Sequence, residues 1–367
     1  MSLHVSLKRL SRHPWLLSSI PLLFWIFFKI LNTELQEHVS KGQTGRPLPS
    51  RDAMHLFLTE MRDSKPQSHV SKLLSNNKCD QNQFELLFLV TSHPRELIRR
   101  QSIRDSWGSP SSLESNLPKW TTRFILGIPS DELLNQQMIV EHRMFGDLIF
   151  GDFQEAFYNL SHKIHTGFEW SAKYCPTRYI FKADDDIFVN VRNLFTFLHR
   201  HDVPKTSLYA GRVRYKSITM RRGKYAVKES EYVRGVYPRF CSGGGMVFTG
   251  DVVKSMVSTF DSTEVFKLDD VYYGMLALEI GVDPLHDDAF HMYDGASFVD
   301  GCHYTFQSIA THPVKTRGCM MHHYNNYLFS HKFRIDKDIL VICTLYLCVI
   351  VIYVRSRLFR SANSLHL

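Results

Sequence analysis

The chain has 367 residues, 44% hydrophobic, 22% charged and 13% aromatic, proportions that describe a folded protein and exclude a disordered or low-complexity one. Its 44 Lys and Arg against 36 Asp and Glu give +8 at neutral pH, which by itself would suggest a nucleic-acid partner. Seven of those bases lie in the acid-free ends, 1–31 and 339–367, so residues 32–338 carry only about +1, too little net charge to hold a polyanion, and no nucleic acid is expected.

In chain order, a tail (1–14) containing Lys8, Arg9 and Arg12 precedes the uncharged run WLLSSIPLLFWIFF, which Ile30 and Leu31 extend. Residues 15–31 read as a transmembrane signal-anchor, at the short end of what crosses a bilayer core of ~30 Å. The basic flank keeps the N-terminus cytosolic. A cleaved signal peptide is the rival reading, but the following NTELQEHVSKG lacks a small-x-small cleavage pattern. Residues 32–80 are polar and interrupted by Gly42, Gly45, Pro47 and Pro49, the composition of a stem.

Regular structure is expected from there to residue 337. Residues 84–91 (FELLFLVT) are a short buried strand ended by Ser-His-Pro, and 95–107 have helical spacing up to Gly108. A second strand is predicted over 121–127, a helix over 130–145 from a Ser130 start signal, and a third strand over 147–150. A long helix over 154–174 puts Phe157, Leu160, Ile164 and Phe168 on one side. The fourth strand, 179–183 (YIFKA), runs into Asp184-Asp185-Asp186. Such alternation predicts an α/β domain with a largely parallel sheet, whose ligands bind at the carboxyl ends of strands. The aspartate triplet stands at one of those ends.

Residues 339–354 (ILVICTLYLCVIVIYV) are again uncharged and apolar, followed by a basic tail, 355–367. They are a candidate second span that would return the tail to the cytosol; the rival is a buried strand or helix of the folded domain. Cys343 and Cys348 lie in this segment. Cys79, Cys175, Cys241, Cys302 and Cys319 lie in the body without a CxxC pair, so two disulfides and one free thiol are expected in an oxidising compartment, with the pairing open. Asn159-Leu160-Ser161 is the one glycosylation acceptor pattern.

Three features carry chemistry. The aspartate triplet suits a hard divalent cation that completes its shell from a phosphate-bearing substrate, although solvated turns and helix caps collect aspartates too. Asp269-Asp270 opens a predicted helix over 268–280; there the acids suit the helix dipole, or one of them is a general base. The run CSGGGMVFTG (241–250) lets the backbone approach a ligand closely or makes a tight turn. Neither a Walker lysine pattern nor GxGxxG is present, so ATP and dinucleotides have no support.

Six blocks now stand in order: RRQSIRDSWG (99–108), RFILG (123–127), DLIFGDFQEAFYNLSHK (147–163), FKADDDIFVN (181–190), YPRFCSGGGMVFTG (237–250) and LDDVYYG (268–274). Together they resemble the signature of the β-1,3-glycosyltransferases of glycosyltransferase family 31, which includes galactosyl- and N-acetylglucosaminyltransferases. The resemblance implies a GT-A-type fold, a UDP-sugar donor, Mn²⁺, and an enzyme of the Golgi membrane or endoplasmic reticulum with its catalytic domain (81–337) lumenal. It also implies roles. Asp186 would ligate Mn²⁺, with Asp184 and Asp185 on the donor's ribose or sugar. Arg100, Arg104, Lys163 and Lys182 would lie near UDP. Gly243, Gly244 and Gly245 would floor the transferred sugar, Asp270 would be the catalytic base, and His312 a further metal ligand, with His291 as runner-up.

The implied reaction transfers a hexose with inversion to the 3-hydroxyl of an acceptor glycan on a glycoprotein or glycolipid. Galactose and N-acetylglucosamine both remain open as donors, and so does a homo-oligomer. The candidate second span departs from the usual family layout, in which the lumenal domain ends the chain. Two other classes stand beside the enzyme: an inactive relative that binds glycans or escorts a partner transferase, and a membrane-anchored receptor with an acidic cation site.

Overall fold

The computed structural model describes residues 79, 84–110, 114–292, 302–303 and 305–332. The predicted anchor, the stem apart from Cys79, and the predicted second span lie outside them. No helix among the described residues is long and apolar enough to cross a membrane. The chain divides into residues 1–325 and 326–367; of the second unit only 326–332, the end of the last helix, are described.

The elements follow in order: β1 (Leu86–Thr91), α1 (Leu97–Arg104), β2 (Trp120–Ile128), α2 (Glu132–Phe145), β3 (Leu148–Gln154), α3 (Leu160–Tyr174), β4 (Tyr179–Asp184), β5 (Phe188–Val189) and α4 (Val191–His199). Then come β6 (Tyr209–Arg214), β7 (Phe240–Thr249), α5 (Gly250–Ser258), α6 (Asp269–Glu279), β8 (Leu285–His286), β9 (Phe290–Met292), β10 (Ala310–His312) and α7 (Arg317–Lys332). The main sheet has the order β3-β2-β1-β4-β7-β6-β8. Strands β3, β2, β1 and β4 are parallel, β7 is antiparallel to both β4 and β6, and β8 is parallel to β6. The sheet is therefore mixed, with β7 as its one inverted strand. A second sheet, β5-β10-β9, lies beyond the end of β4.

All six residues of β1 are buried, because a central parallel strand is covered on both faces. Its side chains alternate. Leu87 and Leu89 join the core under α3, α5 and α6, with Ile164, Phe168, Val252 and Tyr273. Phe88 faces the other way, onto Trp107 and Phe181 at ring-centre distances of 5.0 and 5.5 Å.

Several boundaries differ from the sequence expectation, each for a local reason. The helix predicted from Ser130 starts two residues later, at Glu132, because the Asp131 side chain caps it by accepting from the backbone N–H of Leu133 and Leu134. The helix predicted through Trp107 ends at Arg104, where Gly108 N–H folds back to Ile103 O at 2.9 Å. The third strand runs on to Gln154 through an irregular register against β2. The helix predicted from Gln154 consequently begins only at Leu160, after a 3-10 turn at Phe157–Asn159. The glycine run is no turn; it lies inside β7.

Among the described residues the cysteines pair as Cys79–Cys175 and Cys302–Cys319, leaving Cys241 as a buried free thiol. The first bridge fastens the end of the stem to the end of α3 across 96 residues of sequence. Opening so long a loop removes a restraint on the unfolded chain. Replacing both cysteines, Cys79→Ser with Cys175→Ser, is expected to lower stability by ~2–4 kcal/mol, read as a lower denaturant midpoint under non-reducing conditions.

Candidate active site at the carboxyl edge of the sheet

Strands β1 and β4 are neighbours, with Thr91 opposite Asp184, so both release their chains at one edge of the sheet. Thr91 Oγ1 donates to Asp184 Oδ1 at 2.9 Å. One residue on, Ser92 Oγ donates to Asp185 Oδ2 at 2.7 Å, and Arg99 Nη1 from α1 donates to Asp185 Oδ1 at 2.9 Å. Asp185 is thus tied toward β1 and α1. Burial raises its carboxyl pKa despite those two donors.

Asp184 and Asp186 meet His312 instead. The small sheet explains why: Ala310 and Thr311 of β10 pair with Val189 and Phe188 of β5, so the next residue, His312, stands beside the triplet. Val314 N–H, bonded to Asp186 O, fastens the chain just past it. His312 Nε2 lies 3.1 Å from Asp186 Oδ1 and 3.9 Å from Asp184 Oδ2. One ligand atom from each of the three residues lies within 4.8 Å of the others. Burial opposes both charges, yet their mutual contact prevails: Asp186 is held below the ordinary carboxylate value and His312 above the ordinary imidazole value. Two carboxylates and an imidazole converging on one point fit a divalent metal ion. His291 sits on β9, within 3.3 Å of Thr305 Oγ1, and is outside this group.

The third part of the site comes from α6. Asp269 and Asp270 occupy its first turn, where the exposed N–H groups favour negative charge, and Val271 N–H donates to Asp270 Oδ1 at 2.8 Å. Lys182 links this helix to the two strands. Its Nζ donates to Asp184 Oδ1 at 2.7 Å, Gly243 O at 2.6 Å and Asp269 Oδ2 at 3.3 Å. Burial alone would lower the Lys182 pKa, but Asp184 and Asp269 outweigh it and hold it above the ordinary lysine value. Asp270 receives no such direct partner from Lys182. Burial first, and the Asp269 charge second, push Asp270 up to about 7.

The glycines make room for both halves. Between Cys241 and Met246, β7 takes five residue steps where β6 takes two, from Gly211 to Val213; the surplus bulges at the sheet edge. A methyl group on Gly243 would touch Asp270 Cβ at 3.4 Å. One on Gly244 would lie 2.7 Å from His312 Cγ, and one on Gly245 2.6 Å from Ile187 Cδ1. A side chain at Gly244 would displace the imidazole, whereas one at Gly243 would meet Asp270 only in ordinary contact, so the need for glycine is strict on the His312 side.

Arg100, Arg104 and Lys163 stand behind this edge. Their side chains are buried, and their donors are largely taken up inside the protein. Lys163 Nζ bonds Ser92 O and Glu155; Arg100 Nη1 and Nη2 bond His93 O and Pro94 O. Three successive carbonyls after β1 are therefore turned inward onto two cations, which fixes the path of that loop. Arg100 also makes a paired contact to Glu141, which Arg104 shares while reaching Asp147 at 2.7 Å. Arg104 additionally lies over Phe145, 4.0 Å from its ring centre. Burial opposes the Glu141 charge, but the two guanidinium groups keep its pKa below the ordinary value.

The structure thus brings together Asp184, Asp186, His312, Lys182, Asp270 and the three glycines, and sets Asp185, Arg100, Arg104 and Lys163 around them. Sequence reasoning passed over Arg99, Ser92, Thr91, Asp269 as the partner of Lys182, and the acids Glu141 and Glu155. Arg99 lies next to Arg100 inside the first signature block, but only helix phase decides which of the two faces the triplet.

Comparisons with known proteins agree on a family. A family model described as Galactosyltransferase matches residues 98–288, a span that includes Arg99 to Asp270 and ends before His312. The chain is 33% identical to "Beta-1,3-galactosyltransferase 1" of Mus musculus over 233 residues, 63% of this chain and 71% of that one. It is 31% identical to "Beta-1,3-galactosyltransferase 5" of Gorilla gorilla gorilla over 275 residues, 72% of this chain and 91% of that one. Among solved structures, a galactosyltransferase in complex with donor and acceptor sugar analogues aligns over 55% of this chain and 73% of its own. Its TM-score is 0.30 at 9% identity, and a likeness of that size carries no argument.

Replacing Lys182 by methionine keeps its bulk and removes its charge, leaving Asp184 and Asp269 uncompensated. A loss of ~3–5 kcal/mol in stability is expected, measured by thermal denaturation, with partial recovery toward acid pH as the carboxylates take up protons.

Proposed function

Because the chain belongs to the Galactosyltransferase family, glycosyltransferase family 31, and is a glycosyltransferase, we propose that it is an inverting, metal-dependent β-1,3-hexosyltransferase of GT-A type, using a UDP-sugar donor. The observation that carries this reading is the convergence of Asp270 and the Asp184, Asp186, His312 group on one side-chain-free stretch of β7. A base and a cation site at the same glycines suit a displacement in which one group receives a proton while charge builds on a diphosphate.

In this mechanism the acceptor's 3-hydroxyl attacks the anomeric carbon of the donor. The O3–C1 bond forms as the C1–phosphate oxygen bond breaks, and the hydroxyl proton passes to the Asp270 carboxylate. UDP leaves as an anion, so no second catalytic acid is needed, and a single displacement turns an α-linked donor into a β-1,3 product. Asp184, Asp186 and His312 would hold the divalent ion, assigned here as Mn²⁺, which when bound supplies neutralising charge for the departing diphosphate. Lys182 acts through others: it holds Asp269, and with it the first turn of α6, against Gly243 O. Arg99 holds Asp185, and Arg100 and Lys163 hold the loop after β1, so the donor meets a preset edge.

Galactose is the donor favoured, since the relatives above are named as galactosyltransferases, and a glycan on glycoprotein or glycolipid is the acceptor class. We place the protein in the Golgi membrane or endoplasmic reticulum with the catalytic domain lumenal. The basic-flanked apolar segment at 15–31 supports this, as do two disulfides, which persist in an oxidising compartment.

The test measures UDP release from UDP-galactose and, separately, UDP-N-acetylglucosamine, with Mn²⁺ and a panel of β-linked acceptors. EDTA-sensitive, acceptor-dependent release with one donor is expected; UDP binding without turnover on any acceptor would leave an inactive escort protein. Asp270→Asn is expected to lower kcat by about 10²–10⁴-fold. Since the base acts as its anion and its pKa is about 7, kcat/KM should climb with pH below that value and level off above it, a limb absent from the residual activity of Asp270→Asn. Gly244→Ala forces His312 aside, and the Mn²⁺ concentration giving half-maximal rate should rise about 10–100-fold, with UDP-sugar KM much less affected.

A further inference from the structure

The connection from β6 to β7, residues 215–239, takes no part in the chemistry above, yet it is the most unusual surface of the domain. Six of its apolar side chains are exposed: Val233 at 80%, Ile218 at 74%, Tyr215 at 54%, Met220 at 50%, and Tyr225 and Val236 at 48% each. The same 25 residues contain seven Lys or Arg and only two acids, Glu229 and Glu231. One of those acids, Glu231, is already paired with Lys267 at 2.8 Å. Residues 32–338 carry about +1 in total, so this hairpin concentrates positive charge on a domain that is otherwise net acidic.

The hairpin is an ordered platform. Thr219 N–H bonds Gly235 O at 2.9 Å, Tyr237 N–H bonds Ser217 O at 3.0 Å, and Val227 N–H bonds Met220 O at 2.8 Å. Arg221 Nη1 closes the base by bonding the carbonyls of Val227 and Tyr232. Its underside is anchored: Val227 and Tyr237 are buried, and Tyr232 and Tyr237 pack on Phe266, at ring-centre distances of 5.8 and 6.0 Å. One side is therefore built into the core beside α6, while the six apolar side chains and the hairpin's Lys and Arg residues are exposed to solvent. Phe157 and Tyr158, 40% and 51% exposed, adjoin it, with Lys224 over the Phe157 ring at 4.6 Å.

Topology sets where this face points. Strand β6 is antiparallel to β7, which is antiparallel to β4, so β6 ends at the edge where Asp184 stands and the hairpin leaves from that edge. Aliphatic groups such as Ile218 and Val233 give sugar hydroxyls nothing to bond, whereas exposed hydrocarbon together with Lys, Arg and Tyr matches a lipid interface with acidic headgroups. We propose that residues 215–236 form a membrane-docking hairpin that seats on lumenal-leaflet lipids with acidic headgroups, acidic glycolipids in particular, and turns the catalytic edge toward lipid-linked acceptors. The docking surface stands on the exposed residues and their charge; only the statement about acceptors rests on the transferase reading.

The test uses the full chain in phosphatidylcholine vesicles with or without a sulfated glycosphingolipid as the acidic component. The apolar ends would hold the chain to either vesicle, so the readout is local: a nitroxide on Val233→Cys, compared with one on the exposed Ser262→Cys, with Cys343 and Cys348 replaced by serine in both. Collision with dissolved oxygen relative to a polar nickel chelate is expected to rise at 233 in the acidic vesicles and to stay at its aqueous level at 262. An aqueous signal at 233 in both vesicle types overturns the proposal; shielding at 233 by heparin but not by vesicles would overturn it in favour of a polyanionic glycan. In a second arm, Ile218→Asp with Val233→Asp should raise KM for a glycolipid acceptor in acidic vesicles by about tenfold and leave kcat on a soluble acceptor unchanged. Equal losses on both acceptors would overturn it. Failure of the transferase reading has a different signature, because the parent protein would then turn over neither acceptor while the nitroxide result still stood.

Discussion

The site depends on one electrostatic constraint: Asp184, Asp185, Asp186, Asp269 and Asp270 gather at a single edge of the sheet and must be held there without all being neutralised. Lys182 resolves the largest part of this. It lies in the middle of β4, buried to 1% exposure, and ties one carboxylate of the triplet, one of α6 and a carbonyl of the glycine stretch to a single ammonium. Arg99 takes Asp185 and His312 takes Asp186. Asp270 is left without a directly bonded cation, and burial first and the Asp269 charge second raise its pKa. Compensating four of five acids leaves the fifth able to accept a proton near neutral pH.

A second layer sets the loop after β1. Buried cations usually cost stability unless every donor is used, and here Arg100 and Lys163 use theirs on three consecutive carbonyls and on Glu141 and Glu155. The loop is thereby fixed from behind, by side chains other than those that touch the triplet. That division separates residues that face the cleft from residues that position it, a distinction invisible in a list of signature residues. Strand β7 completes the arrangement by running against its neighbours, which carries the glycines past the triplet and returns the chain through the 215–239 hairpin at the same edge.

Much of this was legible in the sequence. The buried strands at 84–91 and 179–183, the acid pair at the head of α6 and the expectation of two disulfides with one free thiol all rest on local patterns, and local patterns are written in the chain itself. The boundaries that shifted did so where a long-range contact overrode a local preference: β3 outlasted its apolar run because β2 was there to pair with it. The glycine run read equally well as a turn or a close approach, and only its place in β7 decides for the second.

Sequence by itself determined the residue types available for chemistry, their order, and the family, because signature blocks and hydrophobic periods are properties of neighbouring residues. Tertiary structure decided which of those residues meet. His312 is 126 positions from Asp186, and nothing in their spacing joins them; the pairing of β10 with β5 does. Arg99 rather than Arg100 reaches the triplet because of helix phase, and Asp185 turns away from Asp184 and Asp186 because Ser92 and Arg99 draw it there. A charge is given by composition, but its partner is given by geometry, and in a half-buried acidic cluster the partner fixes whether the group can bind a cation, take a proton or hold its neighbours in place.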